Sequence, residues 1–176
     1  MSPIPYSPGN ISQLRKMFSH RIAYPEALIQ INAPTSTPKQ KRQALKQLVT
    51  LSAPCWIEPE FFVAGPATVT FNRFVFANHN VTLLAQSPIE IGEGVFIGPN
   101  AVLSTYPLAI NGVVSREIDK ISIGHNAWIG ANAIILPGVH VGCNAIVGAN
   151  AVVYEDVPDN TVVTGAPASM HRMITE

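Results

Sequence analysis

A six-residue phrase repeats between Ile91 and Pro158: an aliphatic residue, often glycine, two variable positions, a small or β-branched residue, and another variable one. It reads Ile91-Gly-Glu-Gly-Val-Phe, Ile97-Gly-Pro-Asn-Ala-Val and Leu103-Ser-Thr-Tyr-Pro-Leu, then resumes after a break at Ile123, Ile129, Ile135, Val141, Val147 and Val153. A fixed short period marks a solenoid, because each unit can bury its apolar face only against its neighbours. The repeat therefore predicts a parallel β-helix in which three hexads, about 18 residues, close one triangular coil. A β-sandwich of short strands would need alternating patterns with turns every ~8–12 residues, and hexads in series do not supply them.

The aliphatic residue that opens each hexad is expected to point into the coil. The small residue four places on, as at Ala101, Ala127, Ala133, Ala145 and Ala151, suits an inward corner where a larger side chain would overfill a narrow lumen. Gly92, Gly98, Gly124, Gly130, Gly142 and Gly148 follow the inward aliphatic, for tight turns or for close approach of backbone or ligand. The recurrent Asn-Ala pairs at 126–127, 132–133, 144–145 and 150–151 are turn chemistry.

With 176 residues the chain is expected to form one domain with its own core. No apolar run approaches the roughly 20 residues of a membrane span, and the Met-Ser-Pro-Ile-Pro start lacks the regions of a signal peptide, so a cytoplasmic location is expected. Cys55 and Cys143 stand apart, without metal-site or redox spacing. The net charge of zero conceals a division: residues 1–54 hold seven Lys or Arg and one acid, and residues 55–176 hold four and ten. The basic segment can dock on the acidic solenoid or a neighbouring subunit; alternatively Lys39, Lys41, Arg42 and Lys46 attract an anionic ligand. The patch is short and not interleaved with aromatics, which argues against nucleic acid.

Residues 1–54 read as a helical N-terminal segment and 55–176 as the solenoid. Asn10 is a candidate cap for a helix carrying Ile11, Leu14, Met17 and Phe18. Pro25 can open a short helix through Glu26-Ala-Leu-Ile, and Thr37-Pro38 is a stronger start for a helix ending near Ala53-Pro54. Phe71 to Ile91 is one coil plus two residues, and Ile91 to Ile123 is one coil plus fourteen. The stretch 109–120 is thus expected to leave the coil as a loop, a common home for function on a rigid scaffold.

From about Lys39 to Ile174 the chain resembles the galactoside and maltose O-acetyltransferases of the hexapeptide-repeat superfamily. The resemblance rests on Trp56-Ile-Glu-Pro, Phe76-Ala-Asn78, Pro88-Ile-Glu-Ile-Gly, Ala127-Trp-Ile-Gly130, Pro137-Gly-Val, Asp156-Val-Pro-Asp-Asn160 and Gly165-Ala-Pro167. It implies a left-handed β-helix assembled as a homotrimer, with acetyl-CoA as acyl donor in a cleft between two subunits. It also implies direct transfer of the acetyl group to a hydroxyl acceptor such as a saccharide, with no metal and no covalent intermediate. Such chemistry needs a base for the hydroxyl proton and dipoles for the carbonyl oxygen. By resemblance Asn78 orients groups at the reacting centre, while Trp128, Gly130, Ala131, Gly148 and Ala149 line the pantetheine arm. Tyr154 falls at a cofactor-facing position, and Arg172 suits the cofactor's phosphate end.

Several positions depart from the family pattern. Tyr106, in Ser104-Thr-Tyr-Pro107, stands where the family has its catalytic His. A phenol, with an ordinary pKa of about 10, is a poor base at neutral pH. Ala85 replaces an Asp that contacts the acceptor sugar, Ala64 falls in an otherwise polar acceptor-side stretch, and Tyr154-Glu155 replaces a Thr-Lys pair. His79, beside Asn78, is the leading substitute base; His125 and His140 occupy exterior repeat positions, and His20 and His171 offer no constellation. Two functional classes follow: an acetyl-CoA-dependent O-acetyltransferase with an altered acceptor and base, or a catalytically impaired homologue that serves as a trimeric binding or assembly module.

Overall fold

The computed structural model describes residues 25–106 and 119–175, together with the backbone of 109–110 and 113–114. The helix expected after Asn10, His20 and most of the 109–120 excursion lie outside the described residues.

The hexads fold as the period requires. Three parallel faces wind around one axis. The first stacks Thr50–Leu51, Val69–Phe71, Ile89–Ile91, Ile121–Ile123 and His140–Val141. The second stacks Trp56–Ile57, Phe76–Ala77, Phe96–Ile97, Trp128–Ile129, Ile146–Val147 and Thr161–Thr164, closed by antiparallel Ser169–Met173. The third stacks Phe62–Ala64, Thr82–Leu84, Val102–Ser104, Ile134–Ile135 and Val152–Val153. The fold is a parallel β-helix. Its first rung starts at Thr50, within the segment read from sequence as helical.

Register explains the irregular coil lengths. Phe71 pairs with Ile91, and Ile91 with Ile123, so the intervening excess is extruded without disturbing the ladder. All of it leaves at the third corner, between the third and first faces. Phe62 and Thr70 are partners of Thr82 and Glu90 on these two faces, eight residues apart, against six for Ile134 and His140. The same corner then releases the longer excursion, which contains an antiparallel pair of Ala109–Ile110 with Val113–Val114.

The lumen is filled by the residues that open each hexad, with Ile91, Ile97, Leu103, Ile129, Ile135, Val141 and Val147 buried. Ala101, Ala127, Ala133, Ala145 and Ala151 turn inward at the corners as expected. The glycines and asparagines divide two tasks that the sequence left joined. Asn100, Asn126, Asn132, Asn144 and Asn150 take the left-handed turn conformation, with φ of 55–60°. Their side chains form ladders between coils: Asn80 Nδ2 donates to Asn100 Oδ1 (2.9 Å), Asn132 to Asn150 (3.2 Å) and Asn144 to Asn160 (3.0 Å). Glycine after the inward aliphatic serves the close approach instead. A Cβ at Gly124 would stand 2.6 Å from the Cys143 backbone nitrogen.

Two helices, α1 (Glu26–Asn32) and α2 (Pro38–Leu48), cover the open end of the first coil. Thr37 caps α2: Gln40 N–H donates to its hydroxyl (3.3 Å) and Thr37 N–H donates to the Gln40 side chain (2.8 Å). The helix stops at Leu48, short of the expected Ala53-Pro54, because Val49 is already extended into the first rung. Leu28, Ile31, Ala44 and Leu45 join Phe61 and Phe71 in one core, while Asn32 exchanges hydrogen bonds with the Phe61 backbone, each 2.9 Å. Docking is therefore apolar. Among the described residues no ion pair joins the basic helical segment to the acidic solenoid, so the opposite charges are not what holds them together.

Replacing Gly124, away from the second corner, by Ala should force apart two coils whose spacing is fixed by hydrogen bonds. Overpacking of this kind costs about 1–3 kcal/mol, and a clear drop in melting temperature is the expected result by circular dichroism.

Candidate active site

The second corner, between the second and third faces, aligns one column of residues along the axis. Register places Glu58, Asn78, Gly98, Gly130, Gly148 and Thr164 in successive coils, each one position past a paired strand residue. Backbone bonds tie the column together: Glu58 N–H donates to Ala77 O (2.9 Å), Asn78 to Ile97 (2.9 Å), Gly98 to Ile129 (2.7 Å), and Gly130 to Val147 (2.8 Å). Adjacent strands lie about 4.8 Å apart, so Asn78 stands roughly 10 Å from Gly130. His79, Ala131 and Ala149 occupy the next position in their coils. The structure thus brings Asn78, His79, Gly130, Ala131, Gly148 and Ala149 onto one track.

An aromatic row borders that track two residues earlier. Trp56, Phe76, Phe96 and Trp128 are in register on the outside of the second face. Phe76 stacks on Phe96 at 5.0 Å, and Phe96 meets the Trp128 ring at 5.2 Å. Trp56 and Trp128 remain 65% and 53% exposed, so the row ends in two uncovered rings. At the far end of the same face Arg172, exposed, pairs with Val162 beyond the last coil.

At the other end of the track the side chains of Trp56, Glu58 and His79 are linked, with Asn78 beside them. Asn78 Oδ1 accepts the His79 N–H (2.7 Å), which leaves its Nδ2 hydrogens for another acceptor. His79 Nε2 is 3.7 Å from Glu58 Oε2, and Glu58 Oε1 accepts the Trp56 indole N–H at 2.7 Å. Glu58 therefore faces His79 with one oxygen while the indole holds the other. Strand alternation suggests that His79 turns away from Asn78; it lies instead in the turn after the strand, where alternation no longer governs direction. Glu58 was hidden within Trp56-Ile-Glu-Pro. Its spacing of one 20-residue coil from Asn78 is the signal that identifies it.

Tyr106 and Tyr154 belong elsewhere. Both are exposed at the third corner, 42% and 44%, across the third face from Asn78. At about 3.3 Å per strand residue that separation is on the order of 20 Å, so one chain does not bring Tyr106 to Asn78. Ala64 and Ala85 share the third corner, where Ala85 N–H donates to Ala64 O (2.7 Å). Thr105, fully buried, pins this corner below Tyr106: its hydroxyl accepts from Ser87 N–H (2.9 Å) and faces the carbonyls of Leu84 and Ser87. His125 accepts from Glu93 N–H (3.1 Å) at the first corner, and His140 meets Ser122 Oγ (2.8 Å) on the first face, both off the track.

Cys55, half-buried beside Trp56, donates to Asn72 O at 3.2 Å. Burial pushes its thiol above the ordinary range, against opposing effects of a backbone hydrogen bond and of Arg42. It is therefore a thiol rather than a thiolate at neutral pH, and a poor nucleophile. Among the described residues no group of three or more His, Cys, Asp or Glu could hold a metal ion, and no helix is long and apolar enough to cross a membrane.

A triangular parallel coil built from six-residue repeats places the chain in the class of hexapeptide-repeat β-helices. Residues 120–155 match the family described as hexapeptide repeat of succinyl-transferase. A galactoside O-acetyltransferase of Lactococcus lactis is 33% identical over 145 residues, 79% of this chain and 70% of that protein. The crystal structure of a hexapeptide-repeat acetyltransferase from Vibrio cholerae, complexed with acetyl coenzyme A, superposes with a TM-score of 0.77 at 28% identity, covering 97% of this chain and 92% of that one. A maltose O-acetyltransferase from Clostridium difficile gives 0.71 at 26% identity, with 92% and 89% covered. The chain belongs to the galactoside O-acetyltransferase family of hexapeptide-repeat enzymes and is an acyltransferase.

Thr105→Val keeps the side-chain shape but removes the partner of the Ser87 N–H. An unsatisfied buried donor costs about 1–3 kcal/mol, so denaturant unfolding should show a loss of that size.

Proposed function

We propose that this protein is an acetyl-CoA-dependent O-acetyltransferase acting on a saccharide or related hydroxyl compound, with His79 as its base. The observation that carries the reading is the second-corner column, in which Asn78 and His79 continue through Gly98-Pro99 into Gly130-Ala131 and Gly148-Ala149. Bound acetyl-CoA supplies an activated acetyl thioester. Along this column small residues leave backbone groups accessible to the pantetheine arm, Trp128 provides an apolar border, and Arg172 offers a cation beyond the last coil. The thioester end then lies at Asn78.

His79 takes the proton of the acceptor hydroxyl as its oxygen bonds to the acetyl carbon. Asn78, its Oδ1 already engaged, donates from Nδ2 to the carbonyl oxygen as negative charge gathers there. When the carbon–sulfur bond breaks, the protonated imidazole returns the proton to the departing sulfur. Glu58 faces the imidazole, its Oε2 3.7 Å from Nε2. The step requires no metal.

A homotrimer with the donor in a cleft between subunits follows from the resemblance and suits two features of the single chain. The exposed ring of Trp128 gains a covering surface, and Tyr106 and Tyr154 of one subunit can line the cleft opposite the track of the next. Tyr106 then contributes shape rather than proton transfer.

His79→Asn should lower kcat by about 10²–10⁴ with little change in acetyl-CoA affinity, the usual scale for loss of a general base. Tyr106→Phe should stay within a few-fold of the parent. Stopped assays of CoA release, with calorimetry for acetyl-CoA binding and sedimentation for the trimer, read these outcomes. Full activity of His79→Asn would remove the base assignment, and absence of acetyl-CoA binding at millimolar ligand would overturn the transferase reading in favour of an assembly module.

A further inference from the structure

A pocket of about 390 Å³ opens between α2 and the first coil, at the end of the track opposite Gly148. Leu45 and Ile57 form part of its apolar wall, the Trp56 ring stands at its side, and Lys41, Arg42 and Glu58 supply charge. The two cations have no ion-pair partner among the described residues. Glu58 differs: its carboxylate is committed to Trp56 and His79. Two cations against one carboxylate leave the pocket net positive, with an apolar wall and an exposed indole, and its Glu58 faces the proposed base.

Orientation decides which reactant the pocket serves. With the pantetheine arm along Gly130 and Gly148, the donor's nucleotide end points toward Arg172, away from this pocket. The space beyond Asn78 and His79 in the other direction is left for the second reactant. One rung, about 4.8 Å, separates Glu58 from Asn78, so a hydroxyl at the pocket's Glu58 edge is within reach of His79.

We propose that this pocket binds the acetyl acceptor, and that Lys41 and Arg42 select a hydroxyl compound carrying a carboxylate or phosphate group. The indole of Trp56 offers a flat apolar surface for the acceptor's ring, and Arg42 has the fork geometry that matches either anion. The inference rests on the acetyl-transfer reading and names the substrate class for the same site.

Calorimetry on the intact protein with three probes tests it: phenyl β-D-glucuronide, glucose 6-phosphate and the neutral phenyl β-D-glucoside. At least one anionic probe should bind tenfold or more tightly than the glucoside, and which one does so separates carboxylate from phosphate recognition. Arg42→Gln and Lys41→Gln should each weaken the anionic probe roughly tenfold, the scale of one charged hydrogen bond. Neither should alter acetyl-CoA affinity or glucoside binding, and in turnover the loss should fall on KM rather than kcat. Equal binding of charged and neutral probes, or unchanged anion binding by both variants, overturns the assignment. Weaker acetyl-CoA binding by the variants would also overturn it, by giving the pocket to the donor. Loss of acetyl-CoA binding in the parent protein condemns the transferase reading and the acceptor assignment together, whereas normal acetyl-CoA binding without anion preference condemns the acceptor assignment alone.

Discussion

Everything in this molecule depends on how closely one coil can lie upon the next. Parallel strands hold the coils about 4.8 Å apart, and at the corners where glycine follows the inward aliphatic that spacing leaves no room for a Cβ. At Gly130 a Cβ would come within 2.6 Å of the Ala149 nitrogen. Glycine at these corners keeps the ladder straight, and the asparagine two residues later absorbs the turn in the left-handed conformation that its side chain tolerates. The Asn–Asn ladders then tie the turns to one another.

The same packing rule shapes the active corner. Where the coil can do without glycine, at the early position 78, the column carries an amide side chain, the one proposed to meet the acetyl group. Its continuation through Gly98, Gly130 and Gly148 leaves a low strip bounded by aromatic rings. The third corner, enlarged by two residues in the early coils and then opened by the excursion, holds the positions that the resemblance singles out as departures. Tyr106, Ala64 and Ala85 all lie there, across the third face from the track.

Much of the architecture was legible because it is periodic. The inward set, the corner alanines, the one-coil-plus-fourteen interval from Ile91 to Ile123 and the Thr37-Pro38 helix start all appear in the structure as read. Ambiguity remained where one residue type serves several purposes. Glycine suits both turn and close approach, and only the neighbouring coil shows that these six serve close approach. The charge contrast between the two parts of the chain suggested electrostatic docking, but Leu28, Ile31, Ala44 and Leu45 hold the helices by apolar contact, and Lys41 and Arg42 have no ion-pair partner among the described residues.

By itself the sequence determined the solenoid, its inward face, the place where the chain leaves the coil and the family to which the chain belongs, because those are properties of spacing along one chain. Tertiary structure decided which candidates meet. Glu58 and His79 are 21 positions apart in sequence and 3.7 Å apart in space, because the early coils take 20 residues. Asn78 and Tyr106 are separated by a comparable stretch of chain but lie at opposite ends of the third face. Linear distance cannot distinguish these cases; the register of the coils does.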